Sequence, residues 1–137
     1  MLFEVTRDPI DSQDLQNDLV RDAVGAVVTF LGVVRKFSKG KTVVRLEYDA
    51  YDEMAVKKLR EIGQEMRERW PIEDVAIRHR VGRMEIGEVS LVVVVVSAHR
   101  ADAFAAAQYA VDRIKQIVPV WKKEVFEDGE VWVGAQE

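Results

Sequence analysis

The chain has 137 residues, with 24 acidic and 20 basic side chains, a formal net charge of −4 and 48% hydrophobic residues. This length and composition predict one folded globular domain spanning residues 1–137 and exclude a disordered chain. The absence of cysteine excludes disulfides, thiolate metal sites and a thiol nucleophile of the chain's own.

Membrane insertion is not expected from the sequence. The longest purely apolar run is Leu91–Val96, whereas a membrane-spanning helix needs roughly 20 residues. Residues 1–7 lack the basic-then-apolar order of a signal peptide. We therefore expect a cytoplasmic protein that does not bind a membrane.

Strand-like and helix-like patterns alternate along the chain. They predict a strand at 2–6, a helix starting at Asp11 or Ser12, strands at 25–34 and 42–48, a helix at 52–70, strands at 74–81 and 89–98, a helix at 101–118, and a hairpin of 122–126 with 130–134. The stretch Val89–Ala98 is almost all valine, which is typical of a central strand covered on both faces. This order of elements predicts the α+β class.

Two connections between the predicted strands and one strand face have distinctive residues. The loop at 36–41 is basic and joins two strands, and Gly82 and Gly87 bracket a second turn region. In the strand at 74–81, alternation places four residues on one face: Val75, Ile77, His79 and Val81.

Basic residues are concentrated in two groups, although the chain is acidic overall. Arg35–Arg45 carries five bases and no acid, and a second group follows later: His99, Arg100, Arg113, Lys115, Lys122, Lys123. Such groups indicate either a bound anion, such as a phosphate or a partner's carboxylate, or solvated charged faces.

The junction Ser97–Arg100 joins the most buried predicted strand to a helix. A helix N-terminus offers free N–H groups and a positive dipole end. With His99 and Arg100 beside it, this junction can form an anion site. The alternative is that the two side chains cap the turn and pair with Asp102.

Lys115 and Lys122 are candidates for acid–base or covalent chemistry. Lys115 comes 15 residues after Arg100, which is about four helical turns, so it lies at the other end of the helix. Lys122 starts the last hairpin and shares a strand face with Glu124. The alternative is that both are surface lysines whose stems pack on the protein.

Other motifs do not carry a function. Gly40-Lys41-Thr42 lacks the earlier glycine and the following helix of a phosphate-binding P-loop. His79 and His99 are 20 residues apart without neighbouring ligands, so no metal site is expected.

Five blocks resemble, in the same order, the catalytic (large) subunit of molybdopterin synthase, the MoaE family. They are Gly25–Arg35 (GAVVTFLGVVR), Glu68–Pro71 (ERWP), Ser97–Arg100 (SAHR), Ala103–Phe104 (AF) and Pro119–Glu124 (PVWKKE). The similarity runs from about Gly25 to Trp132, and residues 1–24 match only loosely. It implies the family's fold, a mixed and mainly antiparallel sheet with packed helices of the α/β hammerhead kind.

The resemblance implies a sulfurtransferase of molybdenum cofactor biosynthesis that needs no cofactor of its own. In that family, a small ubiquitin-like subunit carries a C-terminal Gly-Gly thiocarboxylate and inserts its tail into the large subunit. Sulfur passes in two rounds to cyclic pyranopterin monophosphate (precursor Z), which forms the dithiolene of molybdopterin. The implied assembly is a homodimer within a heterotetramer.

The family's functional residues can be carried over position by position. Its catalytic lysines fall on Lys115 and Lys122, and its substrate-anion pocket falls on Arg35, His99 and Arg100. We expect Lys115 to act as the acid–base or covalent amine at the reacting carbon, and Lys122 to steady the thiocarboxylate.

Two further matches and one departure complete the comparison. Phe30 and Glu124 match family positions near the substrate. Many relatives carry an arginine near the end of the last strand, thought to reach the neighbouring subunit's pocket, where this chain has Gln136.

Two other functions remain open from the sequence. The basic hairpin with Phe30, Phe37 and Tyr48 is compatible with a module that binds single-stranded RNA, although a pI near 5.3 argues against nucleic acid. A non-catalytic partner of a ubiquitin-like protein is the other. The lysine pair beside the anion-site residues argues against lost catalysis.

Overall fold

The computed structural model describes residues 1–133, with side chains through residue 129. In chain order the elements are β1 (Leu2–Thr6), α1 (Ser12–Leu19), β2 (Ala26–Val33), β3 (Phe37–Ser38), β4 (Lys41–Ala50), α2 (Asp52–Arg69), β5 (Ile72–Arg80), β6 (Gly82–Met84), β7 (Val89–Ser97), α3 (Arg100–Ile117), β8 (Val120–Phe126) and β9 (Gly129–Val133). The predicted α+β class is confirmed.

The predicted helices and long strands are confirmed, and two short strands are additional. β3 lies inside the predicted basic loop, and β6 lies inside the predicted turn region. Both form because β4 is longer than expected and pairs with β3 near its start and with β6 near its end. Gly134 and Gln136 lie outside the described residues.

The first sheet has the strand order β1-β5-β7-β2. β1 pairs with β5 in parallel, and the other two pairs are antiparallel, so the sheet is mixed and mainly antiparallel, as expected. Val93 and Val95 of β7 pack with α2 and α3, whereas Val92, Val94 and Val96 pack with α1. The prediction of a central strand covered on both faces is confirmed.

The second sheet has the order β3-β4-β8-β9, with β6 also on β4. It has its own small core of apolar side chains: Val34, Val43, Leu46, Met84, Phe126. Val34 directly follows β2, so the chain passes from the first sheet into this core. The two sheets therefore meet beside the last residues of β2.

The three helices have sequence-encoded ends. The Asp11 side chain caps α1 by accepting from the amides of Gln13 and Asp14. Pro71 and Pro119 follow the last residues of α2 and α3, where proline commonly stops a helix. No helix among residues 1–133 is long and apolar enough to cross a membrane.

The direction of α3 determines where its two ends lie. It begins directly after β7 and packs back on β7 and β2 through small residues such as Ala103 and Ala107. Its last turn therefore returns to the level at which β7 begins. This reversal brings Lys115 to the edge where both sheets meet.

Gly25 allows β2 to approach the end of β7 closely. Its amide donates to the Ser97 carbonyl at 2.9 Å, and a Cβ at this position would stand 2.4 Å from the carbonyl oxygen of Ala98. The neighbouring atom is backbone, so a side chain here requires the strand to move.

We predict that Gly25→Ala lowers the free energy of unfolding by about 1–3 kcal/mol, the usual cost of forcing extra volume into a packed site. Gly32→Ala is the matched control, because a Cβ there stays at least 3.3 Å from its neighbours. Urea unfolding measures both variants. Equal losses in the two would contradict this account of Gly25.

Candidate active site

A pocket of about 190 Å³ opens where the last turn of α3 meets both sheets. Its walls come from β2, β4, β5, β7, α3 and β8. The predicted site residues Phe30, Lys115 and Lys122 all line it. Lys115 was placed by helix arithmetic and Lys122 by strand position in the sequence, whereas Phe30 came from the family resemblance, and the three side chains share one cavity.

The turn after α3 brings the two lysines to the same cavity. The amide of Val118 still bonds back to Ile114, and that of Val120 bonds to Val118, so the helix ends and β8 begins without a long loop. β8 then pairs with β4, with Tyr48 opposite Lys122. Lys115 is exposed and Lys122 is partly buried.

Trp121, which separates the turn from Lys122, also lines the pocket. Its ring meets the ring of Tyr51 edge-on, with the centroids 5.1 Å apart. The Tyr51 amide donates to the Pro119 carbonyl at 3.2 Å. These contacts tie the pocket wall to the start of α2.

A β-bulge forms another wall of the pocket. Gly32 pairs with Leu91 and Val33 pairs with Val89, which leaves Ser90 as an extra residue in β7. The Ser90 hydroxyl donates to the Gly32 carbonyl at 3.3 Å, and both residues line the pocket. Bulges redirect side chains next to functional sites, and here the bulge supplies a hydroxyl at the pocket end of a mainly apolar strand.

The floor of the pocket is polar but neutral. Burial lowers the pKa of His79 below its ordinary value of 6.5, and its hydrogen bond with the Arg80 carbonyl opposes this only in part. Burial raises the pKa of Tyr48, the charge of Glu124 adds to that rise, and a hydrogen bond with Ser90 opposes it. Neutral imidazole and phenol therefore face the space into which the lysines project.

Glu124 lies beneath the pocket rather than in its lining. Its side chain is 2% exposed, on the same face of β8 as Lys122. Its Oε1 is buried and has no hydrogen-bond partner among the described residues. An unpaired buried carboxylate oxygen is costly, and such departures from good packing are typical of functional sites.

The three predicted anion-site residues are divided between the two ends of α3. Arg35 is exposed and comes two residues after Val33, which lines the pocket. His99 and Arg100 are exposed at the start of α3. At about 1.5 Å per residue, Arg100 lies roughly 22 Å along the helix from Lys115. Within one chain, His99 and Arg100 therefore do not reach the pocket that Lys115 lines.

The start of α3 is nevertheless open to a ligand. His99 is the N-cap residue, and its side chain makes no capping hydrogen bond. The Ser97 hydroxyl donates to the His99 carbonyl, which fixes the backbone instead. This leaves the imidazole outside the helix end, as an anion site requires.

Sequence reasoning missed three polar members of the pocket: Tyr48, His79 and Ser90. The alternation of β5 correctly placed His79 with Val75 and Ile77 on one face, and a histidine on an apolar face was the available signal. Ser90 could not be identified, because a bulge depends on the register between two strands rather than on local sequence.

His79 is expected to make stability depend on pH. Because its pKa is lower when folded, the unfolded chain takes up the proton first as the pH falls. Stability is therefore full above about pH 6.5 and falls below it, by at most about 1.4 kcal/mol per pH unit. Urea unfolding between about pH 7.5 and about pH 5.5 tests this.

Two variants separate the histidines in that measurement. His79→Gln should lose the dependence in this range, whereas His99→Gln should keep it, because His79 is still present in that variant. The same pH slope in both variants would show that His79 is not the group responsible.

Known proteins are similar to this chain in sequence. The family model described as MoaE protein matches residues 5–117. The molybdopterin synthase catalytic subunit of Halalkalibacterium halodurans is 52% identical over 98% of this chain and 86% of its own length. The protein of that name from Bacillus subtilis is 48% identical over 98% and 85%.

Solved structures of similar proteins have the same fold as this chain. The crystal structure of molybdopterin synthase from Staphylococcus aureus aligns with a TM-score of 0.92 at 44% identity, over 96% of both chains. A complex of subunits 1 and 2 of the molybdopterin-converting factor from Helicobacter pylori shares the fold, with a TM-score of 0.78 at 19% identity, over 95% of this chain and 88% of that one. The resemblance read from the five sequence blocks is confirmed, and the chain belongs to the MoaE family.

Proposed function

We propose that this chain is the catalytic subunit of a molybdopterin synthase. It would transfer sulfur from the C-terminal thiocarboxylate of a small ubiquitin-like subunit to cyclic pyranopterin monophosphate. The observation that carries the proposal is one cavity lined by Lys115 from α3 and Lys122 from β8, in a chain without cysteine. Relatives at 52% and 48% identity bear the name of this subunit.

The pocket is suited to a thin, anionic chain end. A Gly-Gly tail has no side chains, and the cavity that would receive it is lined in part by Phe30, Gly32 and Leu91. Ammonium groups stabilise a thiocarboxylate and the oxyanion formed when its acyl carbon is attacked. Lys122, held on β8, is the natural contact for this group.

Lys115 is assigned to the reacting carbon of the pterin. It lies on the last turn of α3 and lines the same cavity as Phe30 and Ser90. An amine in this place can exchange protons with the substrate or bond to it. Because the chain has no thiol, the sulfur would arrive on the partner rather than on a side chain of this subunit.

The two basic residues at the start of α3 require a second subunit. If His99 and Arg100 bind the cyclic phosphate of the same substrate, the separation along α3 prevents them from serving the pocket of their own chain. We therefore assign them to the pocket of the other subunit in a homodimer, with Arg35 acting in its own. Glu124 would support Lys122 from below, and Phe30 would pack against the heterocycle.

The proposal predicts that the purified chain, mixed with a thiocarboxylated small partner and precursor Z, yields molybdopterin. Lys115→Ala should lower kcat by about 100-fold or more, in the range expected for losing an acid–base group. Partner binding, measured by calorimetry, should be nearly unchanged, because the lysine reaches the substrate and not the docking surface.

Lys57→Ala is the matched control, since Lys57 is an exposed lysine on α2 outside this pocket. It should retain wild-type turnover. Near-normal turnover by Lys115→Ala would remove Lys115 from the mechanism. No product from the wild-type chain with a verified partner would overturn the proposed function and favour a docking or binding role.

A further inference from the structure

The buried histidine at the floor of the pocket is not used by the mechanism above. His79 is only 6% exposed, yet its ring lines the cavity. It comes from β5, two strands away from β2 and on the other side of β7. His79 is therefore brought to the pocket by a different element from those that carry Lys115 and Lys122.

The hydrogen bond of His79 determines which nitrogen is available. Its Nδ1 lies 2.8 Å from the carbonyl oxygen of Arg80. A carbonyl can only accept, so Nδ1 carries the proton and donates it. In a neutral imidazole, Nε2 then has the lone pair and can only accept a hydrogen bond.

The surroundings of the ring keep that acceptor neutral and fixed. The Tyr48 ring meets it edge-on, with the centroids 5.3 Å apart and the planes at 70°. The Tyr48 phenol is neutral as well, because burial raises its pKa, and the Ser90 hydroxyl donates to the Gly32 carbonyl. A rigid, neutral acceptor in a water-poor site selects for an N–H or O–H donor rather than for an anion.

The pocket thus presents two different chemistries. Its wall carries the ammonium groups of Lys115 and Lys122, which attract anionic groups. Its floor carries a neutral acceptor with hydroxyls beside it. A ligand that fits both has an anionic part and a nitrogen heterocycle with N–H donors, which matches the pterin substrate of the proposed reaction.

We propose that His79 is a substrate-positioning residue whose Nε2 accepts a hydrogen bond from a ring N–H of the pterin. The inference rests on the proposed function, because that function supplies the heterocycle. Anchored at this point, the ring would present its reacting carbons to Lys115 on the opposite wall. His79 itself forms no covalent bond with the substrate and exchanges no proton with it in the reaction.

Two substitutions separate the pocket role of His79 from a structural one. Asparagine can place an amide N–H near the position of Nδ1, which keeps the bond to the Arg80 carbonyl but removes the acceptor. Glutamine can place its amide oxygen near the position of Nε2 and keep an acceptor in the pocket. We expect His79→Asn to raise KM for precursor Z by about tenfold, with His79→Gln closer to wild type.

Steady-state turnover with the thiocarboxylated partner present measures both variants, and partner affinity should be unchanged in each. A KM that is preserved by asparagine but lost with glutamine would overturn the proposal in favour of a structural role. Equal changes in both variants, or none in either, would overturn it too. Wild-type turnover is read first, so that failure of the proposed function is recognised separately.

A measurement on the unmodified chain does not depend on the variants folding. In a chain labelled with ¹⁵N-histidine, His79 is distinguished from His99 by the spectrum of His99→Gln. Adding precursor Z should shift the Nε2 resonance of His79 while its Nδ1 resonance stays nearly constant. An Nε2 resonance that does not move at saturating substrate would overturn the proposal.

Discussion

The burial of β7 on both faces is the constraint on which the rest of the molecule depends. Its valines form two cores at once, with α2 and α3 on one side and α1 on the other, so the strand cannot slip without exposing both. Its antiparallel partners β2 and β5 are fixed by the same register. The ends of β2 and β5 therefore meet the start of β7, and α3 returns to that level because it packs back on the same sheet. The pocket is the space left where these ends meet the second sheet.

Local patterns were sufficient for the elements and for part of the site. The valine run, the apolar stripe of α2 and the two helix-ending prolines act within a few residues, so β7, α2 and α3 were predictable. Lys115 and Lys122 followed from helix length and strand alternation. The resemblance to the MoaE family pointed to the same two lysines, and the match to the family model confirms that the chain belongs to that family.

Features that depend on pairing between distant segments were not predictable. The strands β3 and β6 form because they pair with β4. The bulge at Ser90 forms because the register between β2 and β7 shifts after Gly32. His79 was visible as a histidine on an apolar face, but only the packing of β5 beside β7 places it at the pocket. The helix that separates His99 and Arg100 from Lys115 was predicted from the sequence, whereas their assignment to the pocket of the other subunit is a proposal.

The pocket is lined by two kinds of polar side chain, positively charged lysines and neutral hydrogen-bonding groups. Lys115 and Lys122 provide positive charge where sulfur and acyl groups would react, and a chain without cysteine leaves the sulfur to its partner. Below them, Tyr48, His79 and Ser90 are neutral, which favours recognition of a heterocycle by shape and hydrogen bonds. The buried Oε1 of Glu124 has no hydrogen-bond partner among the described residues, a departure from good packing that is typical of functional sites.

The central claim is that one substrate uses Lys115 of one subunit and Arg100 of the other. A purified heterodimer of a Lys115→Ala subunit and an Arg100→Ala subunit tests it most directly, with sulfur transfer to precursor Z as the readout. In a two-fold symmetric dimer, one of its two sites would lack both residues and the other would be intact. The heterodimer should therefore regain about half of wild-type activity, although each parent homodimer is impaired at both sites. A heterodimer no more active than its parents would contradict the account.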